Sequence, residues 1–176
     1  MRSLSSAARP CAWVLLLLAG CASAPPPVAA PAPLTTATPA QMVAAVRAAG
    51  EGSDTEVAVR PLRNPATADL RDLAAAQQAR GAFTDAAATL DRAIALTPDD
   101  PALLQERAEV ALLLADFTGA EALARRAHAL GSQVGPSCRR HWATVQQARL
   151  AAGDRAGADA AQARLAQCRV DRPARY

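Results

Sequence analysis

The sequence predicts an all-α protein: an antiparallel helix-hairpin solenoid of about three repeats, carried behind a disordered N-terminal tether. Three observations lead there. Residue types recur with a period of 34 between positions 67 and 130. Alanine is abundant while aromatics make up only 3% of the chain, so the helices must pack by close approach rather than over large rings. Six of the 13 prolines crowd between Pro25 and Pro39, ahead of the periodic part, in a stretch that can bury no core.

Arg2 and Arg9 form a positive start, and Cys11 to Ala19, "CAWVLLLLA", an apolar run too short to cross a bilayer, which needs about 20 residues. Residues 1–20 therefore read as a signal peptide. Cleavage after "ASA" at Ala22–Ala24 would place Pro25 just beyond the cut, where proline is poorly tolerated. "LAGC", Leu18 to Cys21, instead resembles the bacterial lipobox, a leucine and two small residues before a cysteine. That resemblance implies that the Cys21 thiol receives diacylglycerol and that Cys21 becomes an acylated N-terminus. Several acyl chains at one residue hold a protein on a membrane stably. Ala22 rather than aspartate follows, which by the same resemblance implies a lipid anchor in the outer membrane of a Gram-negative bacterium, facing the periplasm.

Residues 21–38 are then the lipidated cysteine and a Pro/Ala-rich tether, which at about 3.1 Å per residue spans roughly 50 Å when extended. Thr38-Pro39 is a helix start and Gly50 a stop, predicting a short helix over 39–49 with Met42, Val43 and Val46 on one side. Residues 51–63 alternate weakly at Val57, Val59 and Leu62 and read as an extended segment. Together 39–66 form a short helix plus extended piece before the repeats.

From position 67 the echo is direct. Leu70 matches Leu104, Ala74 matches Ala108, Phe83-Thr84 matches Phe117-Thr118, Ala86 matches Ala120, Ala93 matches Ala127 and Leu96 matches Leu130. Alanines are expected where paired helices touch, with Leu70, Leu73, Leu90 and Leu96 filling the gaps. Gly81 and Asp116 mark the turns inside the pairs. Thr84 and Thr118 are placed as caps of the second helices, Thr118 with Glu121 as a capping box, and Asp100-Pro101 as the start of the next helix. A third copy follows at a spacing of 38, with Trp142 for Leu104, Gly153 for Ala115, Ala158 for Ala120 and Leu165 for Ala127, its four extra residues assigned to a loop at Gly135–Cys138. The pattern of small residues, an aromatic and Pro98 resembles the tetratricopeptide repeat (TPR), over 67–170, with 171–176 as a tail.

Cys138 and Cys168 open and close the third inferred hairpin, whose antiparallel helices set those ends side by side. In an oxidising compartment this favours a disulfide, worth about 3.6 kcal/mol for the closed loop. A metal site of Cys138, His141 and Cys168 has three ligands and no fourth, and a free redox pair is the other alternative.

All 19 basic residues are arginine, against 16 acids, and they alternate with acids along the helices without a basic stripe, which argues against nucleic-acid binding. His128 and His141 have no acid or nucleophile at a suggestive spacing, and phosphate-loop, nucleophile-elbow and zinc-protease motifs are absent, so no enzyme, cofactor or metal is expected. By the TPR resemblance, the first helix of each pair lines a concave partner face: Arg71, Gln78, Gln105, Glu109, Leu112, Leu113, Arg140, Gln147 and Leu150, with an apolar strip at Leu112, Leu113 and Leu150. A carboxylate clamp of the family's kind is missing, since Ala75 and Glu106 stand at its positions. The function implied is a membrane-anchored periplasmic adaptor or scaffold docking an envelope protein or peptide. The alternatives are an accessory or regulatory subunit of a cell-wall enzyme, or a cryptic hydrolase.

Overall fold

The computed structural model describes residues 31–51 and 65–170. The leader, Cys21, the first part of the tether, the stretch 52–64 and the tail 171–176 lie outside the described residues. Those described form helices and no strand: α1 (Pro39–Ala49), α2 (Pro65–Ala79), α3 (Phe83–Leu96), α4 (Pro101–Leu113), α5 (Phe117–Leu130), α6 (Gly135–Ala151) and α7 (Arg155–Gln167). Helices α2/α3, α4/α5 and α6/α7 pair as antiparallel hairpins, and α3 on α4 and α5 on α6 stack the hairpins into one array. This is the TPR-like all-α solenoid that the 34-residue period predicts.

Alanine sets the packing distance. Ala74, Ala86, Ala93, Ala108, Ala120, Ala124 and Ala127 are all fully buried, and a methyl is the largest group that fits between helices this close. Leu90 and Leu103 fill the space around the first pair, with Phe83 partly buried against them. Leu73 and Leu96, expected in the core, are 42% and 60% exposed. Helix α2 packs through the stripe Leu70–Ala74–Gln77, and Leu73 stands one position off it, while Leu96 ends α3 beyond the last buried turn at Ala93.

The turns inside the three hairpins obey one rule. Gly81, Ala115 and Gly153 occupy equivalent positions and all have positive φ, at 79°, 57° and 76°. The next residue is the N-cap of the second helix, and in the second and third hairpins its side chain makes the capping hydrogen bond. Asp116 accepts a hydrogen bond from Gly119 N and Asp154 from Gly157 N, each at 2.9 Å. A Cβ on Gly119 would lie 2.1 Å from the Asp116 carboxylate, so the aspartate and the glycine three residues on belong together. Thr84 and Thr118 are therefore not the caps: both lie inside their helices, behind Ala82, which caps with no side chain, and Asp116.

The third repeat is longer in its helix, not in its loop. Helix α4 has 13 residues and α6 has 17, a difference of four, so "GPSC" is an added first turn of α6. Pro136 suits that turn because it has no N–H to satisfy there. A full turn also keeps the inner face of α6 in phase with α4. Cys138 and Cys168 meet at the base of this turn, with S–S 1.97 Å and Cα–Cα 5.6 Å, and Gly135 N donates to Cys168 O at 2.7 Å beside them.

Helix α1 does not stand apart from the array. It lies along the inner faces of α4 and α6, burying Met42, Val43 and Val46 against Leu112, Ala143, Ala148 and Ala151. Three such side chains contribute about 5–8 kcal/mol as an upper estimate. Its start is a full capping box, Thr38 with Gln41. Its end is held from outside: Arg139 Nε donates to Ala49 O at 2.8 Å and Arg139 Nη2 to Glu51 O at 2.6 Å, satisfying carbonyls at the negative end of the helix dipole.

Residues ahead of α1 are also laid on the array, contrary to a free tether up to 38. Leu34 N donates to Leu150 O at 2.8 Å, and a Cβ on Gly153 would meet Ala32 O at 2.6 Å and Pro31 Cβ at 2.7 Å. Gly153 is thus required twice, by its φ and by this close strap. The chain from Cys21 to Pro31 then has a contour of at most about 35 Å, shorter than the roughly 50 Å of a tether reaching to 38.

Ala115 is the one non-glycine at the left-handed turn position. Ala115→Gly is expected to raise stability by about 0.5–1 kcal/mol, read as a higher urea midpoint at unchanged m-value. Ala120→Leu should act oppositely: overpacking a fully buried site lowers stability by about 1–3 kcal/mol, and an unchanged melting temperature would contradict the close crossing.

Candidate functional site: the inner groove

The inner face is organised around one carboxylate. Glu109, in the middle of α4, is 1% exposed. Arg47 Nε of α1 donates to its Oε2 at 2.9 Å, Gln105 Nε2 donates to its Oε1 at 3.0 Å, and Arg140 Nε of α6 donates to the same Oε1. Gln105 Nε2 also donates to Thr144 Oγ1 at 2.9 Å, and Thr144 Oγ1 to Arg140 O at 3.0 Å. Arg47 Nη2 reaches on to Gln78 Oε1 of α2 at 3.1 Å. Four helices are tied through these side chains.

Burial pushes the Glu109 carboxyl up, but the hydrogen bonds and charge of Arg140, with Gln105 and Arg47, outweigh it and hold its pKa below the ordinary value. Burial likewise lowers Arg140, and Glu109 and then Glu106 outweigh it and raise it. Beside this pair Arg71 Nε donates to Glu106 Oε2 at 3.2 Å.

The expected concave-face residues divide into two sets. Arg71, Gln78, Gln105, Glu109 and Arg140 converge on a groove. The apolar strip is not open as expected: Leu112 is fully buried beneath α1, and Leu113 is partly buried at the edge of the same cluster. The Leu150 carbonyl is taken by the strap at Leu34, and Gln147 stays half-buried on α6. The strip is covered because α1 has three apolar side chains of its own to bury, and this is the nearest apolar surface.

What α1 leaves open runs beside α2. At one end a cavity of about 490 Å³ is lined by Ala40, Ala44, Ala75, Ala79, Phe83 and Leu113. It shares Arg47, Ala75 and Gln78 with a polar middle of about 280 Å³ that contains Arg71, Glu106, Glu109 and Arg140. That shares Arg71, Glu106 and Arg140 with a further cleft of about 480 Å³, where Pro101, Gln105, Leu130 and His141 form the walls. The three make one groove, apolar at the alanine end, charged in the middle, and walled by Pro101, Leu130 and His141 at the far end.

His141 is 3% exposed, and its pKa falls to about 4, through burial first and then repulsion from His128 and Arg140, against a smaller pull from Glu109. It is neutral at pH 7. Its Nδ1 has no hydrogen-bond partner, and the Ser132 hydroxyl in the same cleft donates to Val134 O at 2.7 Å. Among the described residues no carboxylate bonds to Nδ1, and the Ser132 hydroxyl is engaged with the backbone and not with the ring. No group of three or more potential metal ligands occurs among the described residues.

Arg47, Arg139 and Thr144 were not identifiable from the sequence. The one available signal was Glu109 itself, a carboxylate at an inner position followed by the apolar run Val110–Leu112, which calls for a buried cation.

No protein-family model matches the chain, and no curated protein does. Among solved structures it is similar to the globular C-terminal domain of P. aeruginosa LpoP, with 30% identity and a TM-score of 0.56, over 60% of this chain and 99% of that one.

His141 makes acid sensitivity testable. With a folded pKa near 4 against an ordinary 6.5, the unfolded chain binds the extra proton between those values. Stability is full above about pH 6.5 and falls as pH drops toward 4. From pH 7 to pH 5 the loss should be about 2 kcal/mol in urea titrations, and His141→Gln should flatten most of it.

Proposed function

Because the chain belongs to the family of the globular C-terminal domain of LpoP, we propose that it is a lipid-anchored docking module of the bacterial envelope. The observation that carries this reading is the 30% identity extending over 99% of that domain. A groove with ion pairs and alanine walls supports a docking role. The lipobox-like Leu18–Cys21 and the Ala22 that follows it support an anchor at the outer membrane on the periplasmic side.

Two docking roles were open from the sequence: serving an envelope assembly as a scaffold, and regulating a cell-wall synthetic enzyme as its accessory subunit. We take the second as the reading, with a penicillin-binding enzyme of cell-wall synthesis as the partner class. The strap at Pro31–Leu34 bears on how this works. It leaves at most about 35 Å of chain between Cys21 and the domain, so the partner must reach close to the membrane to be engaged.

Two measurements test the reading. Cys21→Ser should yield an unprocessed or soluble protein, and a variant that still fractionates with the outer membrane would refute the anchor. Crosslinking in intact cells, followed by a fluorescent penicillin, should show a labelled band shifted by the mass of this protein. A crosslinked partner that never takes the label would reject the cell-wall enzyme in favour of the scaffold.

A further inference from the structure

We propose that the groove between α1 and α2 binds an extended peptide segment of the partner, with an apolar side chain at the alanine end and an acidic side chain at the arginines of the middle. The inference rests on the docking reading above and adds the chemistry of what is docked.

The geometry of the walls comes first. Ala40 and Ala44 of α1 face the groove opposite Ala75 and Ala79 of α2, and all four are exposed. Small side chains on both walls leave room for a main chain, and Leu113 and Phe83 beneath them offer an apolar floor. The groove exists only because α1 is docked on α4 and α6 and not on α2.

Charge decides the middle. Three guanidinium groups, Arg47, Arg71 and Arg140, share that part of the groove with three carboxylates, Asp72, Glu106 and Glu109; Glu106 answers Arg71, and Glu109 answers both Arg47 and Arg140. Asp72 stands exposed at the rim. The Arg47 side chain remains 54% exposed although it is paired, so its guanidinium can take a second carboxylate, and such forks bind carboxylate in two-pronged fashion. Gln105 supplies an independent sign of a ligand. It lines the cleft at 2% exposed, its Nε2 is committed to Glu109 and Thr144, and its Oε1 has no partner. With the amide orientation set by two acceptors, Oε1 wants a donor, which a peptide N–H pressed into that end provides. Walls of alanine, with Phe83 the one ring beside the apolar end, do not offer the stacking that a glycan would use.

The spacing follows from α2. Arg71 to Ala79 is eight residues, about 12 Å along a helix, which about four residues of extended chain cover. The probe is therefore an eight-residue fluorescein-labelled peptide with one leucine and one glutamate four positions apart in a serine–glycine background, beside a version with lysine for glutamate. Binding is measured by anisotropy to the full lipoprotein in detergent micelles. The glutamate peptide should bind at least tenfold more tightly than the lysine peptide. Ala75→Trp, a filling substitution at an exposed position, should weaken it at least tenfold without moving Tm. Equal affinity for the two peptides, or an indifferent Ala75→Trp, overturns the proposal. So does binding that emerges only when residues 52–64 are replaced by a Gly-Ser linker, which would assign the groove to the chain's own segment. Failure here with the penicillin-labelled crosslink intact would place docking on another face and leave the proposed function standing.

Discussion

The buried Glu109 carboxylate is the constraint on which the arrangement of this protein turns. A charge 1% exposed in a helical core is strongly unfavourable unless it is paired and hydrogen-bonded. Its partners come from α1, α4 and α6, so the charge is compensated only when all three helices are in place. The apolar face of α1 supplies the driving force for docking and Glu109 supplies the register. Arg47 can reach it only when Met42, Val43 and Val46 face the array. Arg139, gripping the carbonyls of Ala49 and Glu51, sets the other end of the same helix.

Around this centre the array follows local rules that repeat. Each hairpin turns through a left-handed residue, at Gly81, Ala115 and Gly153. The later two then start their second helix on an aspartate aimed at the N–H of a glycine three residues on. Alanine at the crossings holds the helices close. The third hairpin departs from this economy: its first helix gains a turn, and the joined Cys138 and Cys168 close that added length against the end of α7. With no further hairpin packed beyond it among the described residues, this repeat relies on a covalent tie where the others rely on a neighbour.

The same N-terminal region links fold and function. By filling the inner face of α4 and α6, α1 converts a broad concave surface into a narrow groove beside α2. By continuing forward through Leu34 and Pro31 along α6, the strap brings the domain near the residue proposed as its anchor. Groove, ion-pair network and strap thus meet in one stretch of chain.

Much of this was legible in the sequence. Helix content, hairpin pairing and the buried alanines follow from the 34-residue period, because contacts between consecutive helices are short in sequence and repeat with it. The start of α1 at Thr38-Pro39 and of α4 at Asp100-Pro101 follow from capping chemistry, which lies within four residues. Even Arg71, Gln105, Glu109 and Arg140 could be placed on one face by the family's register. What only the tertiary structure decided is where α1 goes and what it covers. Arg47 and Glu109 are 62 residues apart, and no local pattern states that one will seek the other. For that reason Leu112 reads as open surface in the sequence and is buried in the fold, and the four residues assigned to a loop before α6 are a helical turn. Periodicity reports which face of a helix is apolar; which apolar face covers which is settled by the one arrangement that also leaves no buried charge alone.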